Sequence, residues 1–114
     1  MRKDLRLRRG ELFSRAYKEG KALTAAEVVL YFLYTGDGPT QIGFAVGKKV
    51  GKAVVRNKTR RRLKSIVAAV ADNLKNGYIL VFVGRPPAAD SAFSELRDRV
   101  YQLLKQANVF KDVQ

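Results

Sequence analysis

The residues best equipped for chemistry lie in one stretch, "GKKVGKAVVRNKTRRRLK", Gly47 to Lys64, where nine are Lys or Arg, none is acidic, and a single Asn follows Arg56. Side chains of this kind hold phosphate. A nucleotide site is one way to use them, since a glycine-rich loop before a helix can cradle phosphates on its amides. That use requires Gly, four residues, then Gly-Lys-Ser/Thr, and neither Gly47 nor Gly51 starts such a run. A disordered basic arm is a second use, but such arms do not sit between an apolar strand and an amphipathic helix. A surface that grips a nucleic acid is the third. On a helix at about 100° per residue, Asn57, Arg60, Arg61 and Lys64 stand at i, i+3, i+4 and i+7, forming one stripe from which Lys58 and Arg62 point away. Six cations fall in the nine residues Arg56 to Lys64. With no acidic partner at i+4 they repel one another and weaken the isolated helix, so external phosphates are the natural counter-charges. Asn57 has two readings here, as a helix cap or as a hydrogen-bonding contact to sugar or phosphate.

The elements that must position this stretch can be read from hydrophobic periodicity. Glu11–Glu19 reads as a helix carrying Phe13, Ala16 and Tyr17 on one side, stopped by Gly20. "EVVLYFLY", Glu27–Tyr34, reads as a strand apolar on both faces. "GDGPT", Gly36–Thr40, has turn chemistry, and "QIGFAV", Gln41–Val46, reads as the returning strand of a hairpin. A helix is expected from about Val54 or Arg56 to Leu74, with Leu63, Ile66, Val67, Val70 and Leu74 as its buried stripe. "YILVFVG", Tyr78–Gly84, is a third strand, ended by Pro86 and Pro87. A last helix, capped by Asp90 or Ser91, carries Phe93, Leu96, Val100, Leu103, Leu104 and Ala107 at helical spacing. The order α-β-β-α-β-α, with no repeat and no linker, makes one α+β domain over residues 1–114.

Bulk composition narrows the function. The 114 residues are 46% hydrophobic, enough for one modest core. The formal charge is +13, from 23 Lys and Arg against 10 Asp and Glu, and self-repulsion of that size implies a polyanionic partner. The acidic residues stop at Asp37 and resume at Asp72, so the basic field is local. The longest apolar run, Val28 to Tyr34, is far short of the roughly 20 residues a membrane helix needs. Arg2, Lys3, Arg6, Arg8 and Arg9 precede no apolar segment of secretory type, which makes a cytoplasmic location the default expectation. The absence of His and Cys removes the commonest general base, the commonest metal ligand and every thiol nucleophile, so no catalytic or metal-binding residue is expected.

At "RNKTRRRLK" the sequence resembles the Arg-Asn-x-x-Lys/Arg-Arg-x-x-Arg signature of the protein subunit of bacterial ribonuclease P. "GFAVGKKVGKAVVRN", "LRLRRGELFSRAYKEGK", "VVLY" and "YILVFVGRPP" extend the likeness along the chain. The resemblance implies a central sheet with a left-handed β-α-β crossover, contrary to the usual hand, in a ribosomal-protein-S5-domain-2-like sandwich. It implies an accessory subunit of an endoribonuclease, in which the RNA subunit and its magnesium ions cut the 5′ leader from precursor tRNA. The implied partners are ribonuclease P RNA and precursor tRNA, with the protein monomeric in the holoenzyme. Lys48, Lys49, Lys52, Arg56, Asn57, Arg60, Arg61 and Lys64 would face the RNA subunit; Phe13, Tyr17 and Tyr31 would line a cleft for the leader. Lys64 stands where the family favours Arg, Gly47 where Ser is common, and Tyr17 where Phe is frequent. A ribosomal or other structural RNA-binding protein is the alternative with the same charge and fold class. The residues themselves are compatible with the cleft, because single strands are held by aromatic platforms in basic grooves. Packing of Phe13 and Tyr17 onto the sheet is the competing use, and "VVLYFLY" offers Tyr31 to one face and Tyr34 to the other.

Overall fold

The computed structural model describes residues 10–36 and 38–112; expectations resting on Arg2, Lys3, Arg6, Arg8, Arg9 or Asp37 lie outside them. The first helix, α1, spans Gly10–Glu19 and buries Ala16. Gly20 ends it by donating its N–H to the Ala16 carbonyl at 3.0 Å. A Cβ at Gly20 would lie 2.5 Å from that oxygen and 2.9 Å from the Phe32 carbonyl oxygen, so only glycine permits this turn against the sheet.

Four strands follow: β1 Lys21–Thr24, β2 Val28–Tyr34, β3 Gln41–Val46 and β4 Tyr78–Gly84, ordered β1-β2-β4-β3. The expected hairpin between Glu27–Tyr34 and Gln41–Val46 does not form. β4 lies between them, antiparallel to β2 and parallel to β3, with Gln41 opposite Ile79 and Val46 opposite Gly84. Strands apolar on both faces belong in the middle of a sheet, and β2 and β4 are those strands. The turn residues close on the approach to β4 instead. The Thr35 N–H donates to the Gly77 carbonyl at 2.6 Å, the Gly77 N–H to Gly38 at 2.9 Å, and the Tyr78 N–H to the Thr40 hydroxyl at 3.1 Å. The edge strand β1 escaped the sequence reading because three of its four residues are exposed, leaving no alternation to detect.

Between the parallel strands runs the second helix, α2, Ala53–Ala68, shorter than the stretch to Leu74 that its periodicity suggested. Val70 leaves helical geometry at φ −119°, ψ 6°, and a 3₁₀ turn follows over Ala71–Asn73. This break lets buried Leu74 form a bridge with Phe110, flanked by the Lys75 N–H donating to Val109 at 2.8 Å and the Lys111 N–H to Asn73 at 2.7 Å. The last helix, α3, covers Phe93–Gln106 with Ala92 at its N-cap and no side-chain cap. The expected cap at Asp90 or Ser91 is absent because the Ser91 hydroxyl donates to the Pro87 carbonyl at 2.8 Å, closing the 3₁₀ turn Pro86–Ala89 instead. Phe93, expected on the buried stripe, is 42% exposed.

Strand alternation divides the core in two. Val28, Leu30, Ile42, Val46, Leu80 and Phe82 meet Leu63, Ile66 and Val67 of α2 and Leu96, Val100, Leu103 and Leu104 of α3. Val70 is half-buried against the same core. On the opposite face Tyr31, Leu33, Ile79, Val81 and Val83 pack under Leu12, Phe13 and Ala16 of α1. The layers are therefore α1, sheet, and the α2–α3 pair, with α2 over β3 and β4 and α3 over β1 and β2.

Candidate nucleic-acid interface

The basic stretch enters the structure as a loop and a helix. Val50 is buried and anchors a 3₁₀ turn, Lys48–Val50, leaving Lys48 and Lys49 exposed. Gly51 follows at φ 153°, ψ −167°, a region essentially closed to side-chain-bearing residues. A Cβ there would meet Val55 Cγ1 at 3.0 Å. This turn sets Lys52 at the N-cap of α2, with no side-chain cap and no acidic residue in the first turn. The partial positive charge of a helix N-terminus thus adds to Lys48, Lys49 and Lys52 rather than being offset within the chain.

Along α2, Thr59, Leu63, Ile66 and Val67 form the buried side. Arg62 emerges toward α3, where its Nη1 donates to the Ser91 carbonyl at 3.1 Å. At about 100° per residue, Arg60 and Lys64 emerge on the other flank of the buried side. Because α3 lies over β1 and β2, that flank borders β3, the outer strand of the sheet. Asn57 does not cap the helix; its Oδ1 accepts a hydrogen bond from Arg60 Nη1 at 3.0 Å, which orients the Arg60 fork and leaves the Asn57 amide NH₂ as a donor. Arg56, half-buried, has its Nε enclosed without a hydrogen-bond partner. Among the described residues the ion pairs are Arg15–Glu19, Arg97–Asp98 and Arg99–Glu27, all outside Gly47–Lys64.

The aromatic residues form a second group on the other face. Phe13 and Tyr17 sit one turn apart on α1 with ring centroids 6.4 Å apart, and Tyr17 meets Tyr31 of β2 edge to face at 4.8 Å. Tyr31 therefore points to the α1 side, and Tyr34 pairs with Tyr78 at 5.1 Å. Phe13 is half-buried against Ile79 and Val81, whereas Tyr17 is 41% exposed. Phe13 thus packs on the sheet, while Tyr17 keeps part of its ring exposed. Burial foremost, and the neighbouring Tyr31 next, push the Tyr17 phenol above its ordinary value, so at neutral pH it remains an uncharged hydrogen-bond donor.

Alternation places Gln41, Gly43 and Ala45 of β3 on this same face, beyond the strands that α1 covers. The floor beside α1 thus runs outward to the strand whose edge borders Arg60 and Lys64. The structure carries Lys48, Lys49 and Lys52 on the turn and N-cap before α2 and Arg56, Asn57, Arg60, Arg61 and Lys64 on α2 itself, while Phe13, Tyr17 and Tyr31 lie on the opposite face of the sheet. Arg62 as an anchor from α2 to the turn before α3 was not foreseen, because nothing in sequence marks Ser91 as its partner. Among the described residues no group of three or more His, Cys, Asp or Glu side chains could hold a metal ion, and no helix is long and apolar enough to cross a membrane.

Comparison with known proteins is consistent along nearly the whole chain. The family model described as Ribonuclease P matches residues 1–108. The ribonuclease P protein component of Symbiobacterium thermophilum is 37% identical over 112 residues, covering 97% of each chain. That of Chloroflexus aurantiacus is 38% identical over 108 residues, covering 94% of this chain and 80% of the relative. Among solved structures, the Staphylococcus aureus RNase P protein superposes with a TM-score of 0.85 at 26% identity, covering 94% of this chain and 98% of that one. The Thermotoga maritima RNase P protein gives 0.79 at 30% identity, covering 89% and 96%.

Proposed function

The chain belongs to the ribonuclease P protein family, acting in tRNA 5′ processing as the protein subunit, and we propose how its two surfaces divide that work. Lys48, Lys49, Lys52, Arg56, Asn57, Arg60, Arg61 and Lys64 bind the RNA subunit through its phosphates. Phe13, Tyr17 and Tyr31 hold the single-stranded leader of precursor tRNA on the α1 face. Hydrolysis belongs to the RNA subunit, which holds the magnesium. The protein contributes no general acid or base; it holds enzyme RNA and leader at once across the β3 edge, favouring precursor over mature tRNA.

The observation that carries this reading is a basic helix face without ion pairs among the described residues, together with an exposed aromatic ring on the opposite face of the same sheet. Cations clustered without acids oppose folding unless an anion binds them, and an exposed tyrosine held by a second ring is a ready stacking surface. Coating RNA phosphates with cations also reduces the magnesium needed to overcome RNA self-repulsion. The test is to add the protein to a bacterial ribonuclease P RNA at low magnesium and follow leader removal. Stimulation is expected; none at any protein concentration would refute the reading.

A further inference from the structure

Tyr34 is 62% exposed, yet its ring is not free. It leans on Tyr78 at a centroid distance of 5.1 Å and an interplanar angle of 59°, and its hydroxyl donates to the Gly36 carbonyl at 3.1 Å. An aromatic ring fixed at both ends and open to solvent loses little entropy when something stacks on it. Beside it lies an open cavity of about 330 Å³ whose lining includes Lys21, Gly20, Phe32, Tyr34 and Tyr78, at the small end of ligand clefts. Glu19 also lines it, but its carboxylate is engaged by Arg15 Nε at 3.1 Å.

The position of this cavity says what reaches it. β1 pairs with β2 only from Lys21 opposite Phe32 to Thr24 opposite Val29, so Leu33 and Tyr34 extend past the end of β1. Tyr34 is three residues beyond Tyr31 along β2, about 10 Å. α1 ends at Gly20, against the Phe32 carbonyl. A strand of nucleic acid lying on Tyr17 and Tyr31 can therefore leave the α1 face past Gly20, with Lys21 available to its phosphates, and arrive at Tyr34.

We propose that the Tyr34–Tyr78 cavity is a second base-stacking site, taking an unpaired nucleobase of the precursor leader beyond the nucleotides held at Tyr17 and Tyr31. This inference rests on the leader-binding reading above. The occupant is RNA rather than an apolar peptide because the chain carries a formal charge of +13 and the cavity continues the proposed leader path. Lys21 supplies the phosphate contact and Tyr78 holds the Tyr34 ring at its angle.

The experiment uses the protein assembled with a bacterial ribonuclease P RNA and precursor tRNAs whose leaders are lengthened one nucleotide at a time. Wild type is expected to gain affinity in separate increments. Tyr34→Ala should lose only the increment from the longer leaders, by about 5-fold or more. Tyr34→Phe should restore it, and thermal melting should fall by no more than a few degrees in either, the yield of one lost ring contact or hydrogen bond. A wild-type gain that persists in full in Tyr34→Ala overturns the second site while leaving the leader reading intact. Loss of affinity at every leader length, or loss of the cooperative melting transition, shows Tyr34 to be structural and likewise overturns it. No gain with any leader in wild type would sink both readings together.

Discussion

Replacing Tyr17 by Ala separates leader binding from folding more cleanly than any change at Phe13. The ring is 41% exposed and touches Tyr31 edge to face at 4.8 Å. Losing that contact costs folding about 0.5–1.5 kcal/mol, a small part of the 5–15 kcal/mol typical of a domain. Losing a stacking platform costs about 1–3 kcal/mol per base, which at RT of about 0.59 kcal/mol is about 5- to 150-fold in affinity. Tyr17→Ala should therefore bind precursor tRNA at least about 5-fold more weakly in the assembled enzyme, bind mature tRNA as before, and melt within a few degrees of wild type. Tyr17→Phe, which keeps the ring, should restore precursor binding. The assay is equilibrium binding of matched precursor and mature tRNAs beside a thermal melt. Equal losses for the two tRNAs would refute the assignment, because mature tRNA has no leader to stack. A Tyr17→Ala protein that discriminates as well as wild type would refute it too.

Other outcomes follow from the same geometry. Replacing Arg60 and Arg61 together by Ala should weaken assembly with the RNA subunit and flatten log K against log salt by about 1.4 to 1.8, the yield of two phosphate contacts; an unchanged slope would count against this helix face. Gly51→Ala forces a side chain into φ 153° against Val55 and should lower stability by about 1–3 kcal/mol, read by denaturant unfolding; a neutral result would mean the loop relaxes freely. Multivalent anions should raise the melting temperature beyond chloride at matched ionic strength, since they bind the folded cation cluster preferentially; coincident melts would contradict this. Because the Tyr17 phenol is held above its ordinary value, its stabilising contribution is complete below the unfolded pKa of about 10 and is lost as pH rises through the higher folded value. Wild type should thus lose stability more steeply than Tyr17→Phe in that alkaline window, and parallel curves would show that the phenol does not titrate differently on folding.

What could be read in the sequence was whatever local periodicity encodes. The stripe Asn57, Arg60, Arg61, Lys64 and its apolar companion depend only on helical spacing, and the buried Leu63, Ile66 and Val67 followed directly. Pairing of distant segments was harder. Gln41–Val46 has the local look of a hairpin partner for β2, and only competition from β4, which is more deeply buried and pairs with both, moves it to the edge. The break after Ala68 was equally invisible, because Leu74 keeps helical spacing while its partner, Phe110, lies far along the chain. Asn57 shows the same limit at the scale of a side chain. Its type allowed a cap or a contact, and the backbone turn at Gly51, which makes Lys52 the N-cap, decided against the cap.

The displaced β3 is also what joins the two proposed surfaces. A β2–β3 hairpin would have put β3 beside β2 in the middle of the sheet rather than at its edge. With β4 inserted between them, β3 becomes the outer strand, α2 returns over it, and Arg60 and Lys64 border that edge. Gln41, Gly43 and Ala45 carry the opposite face of the same strand toward Tyr31. β4 and β3 then lie between Tyr31 and that edge, and the phosphate-binding cations and base-stacking rings sit on opposite sides of the sheet, an arrangement suited to holding two RNA segments at once. A change that thickens the edge without touching either group tests this coupling. Ala45→Phe should leave assembly with the RNA subunit intact and weaken precursor binding selectively, measured by the same paired tRNA titrations. Equal precursor affinity in Ala45→Phe and wild type would mean that the leader does not cross β3.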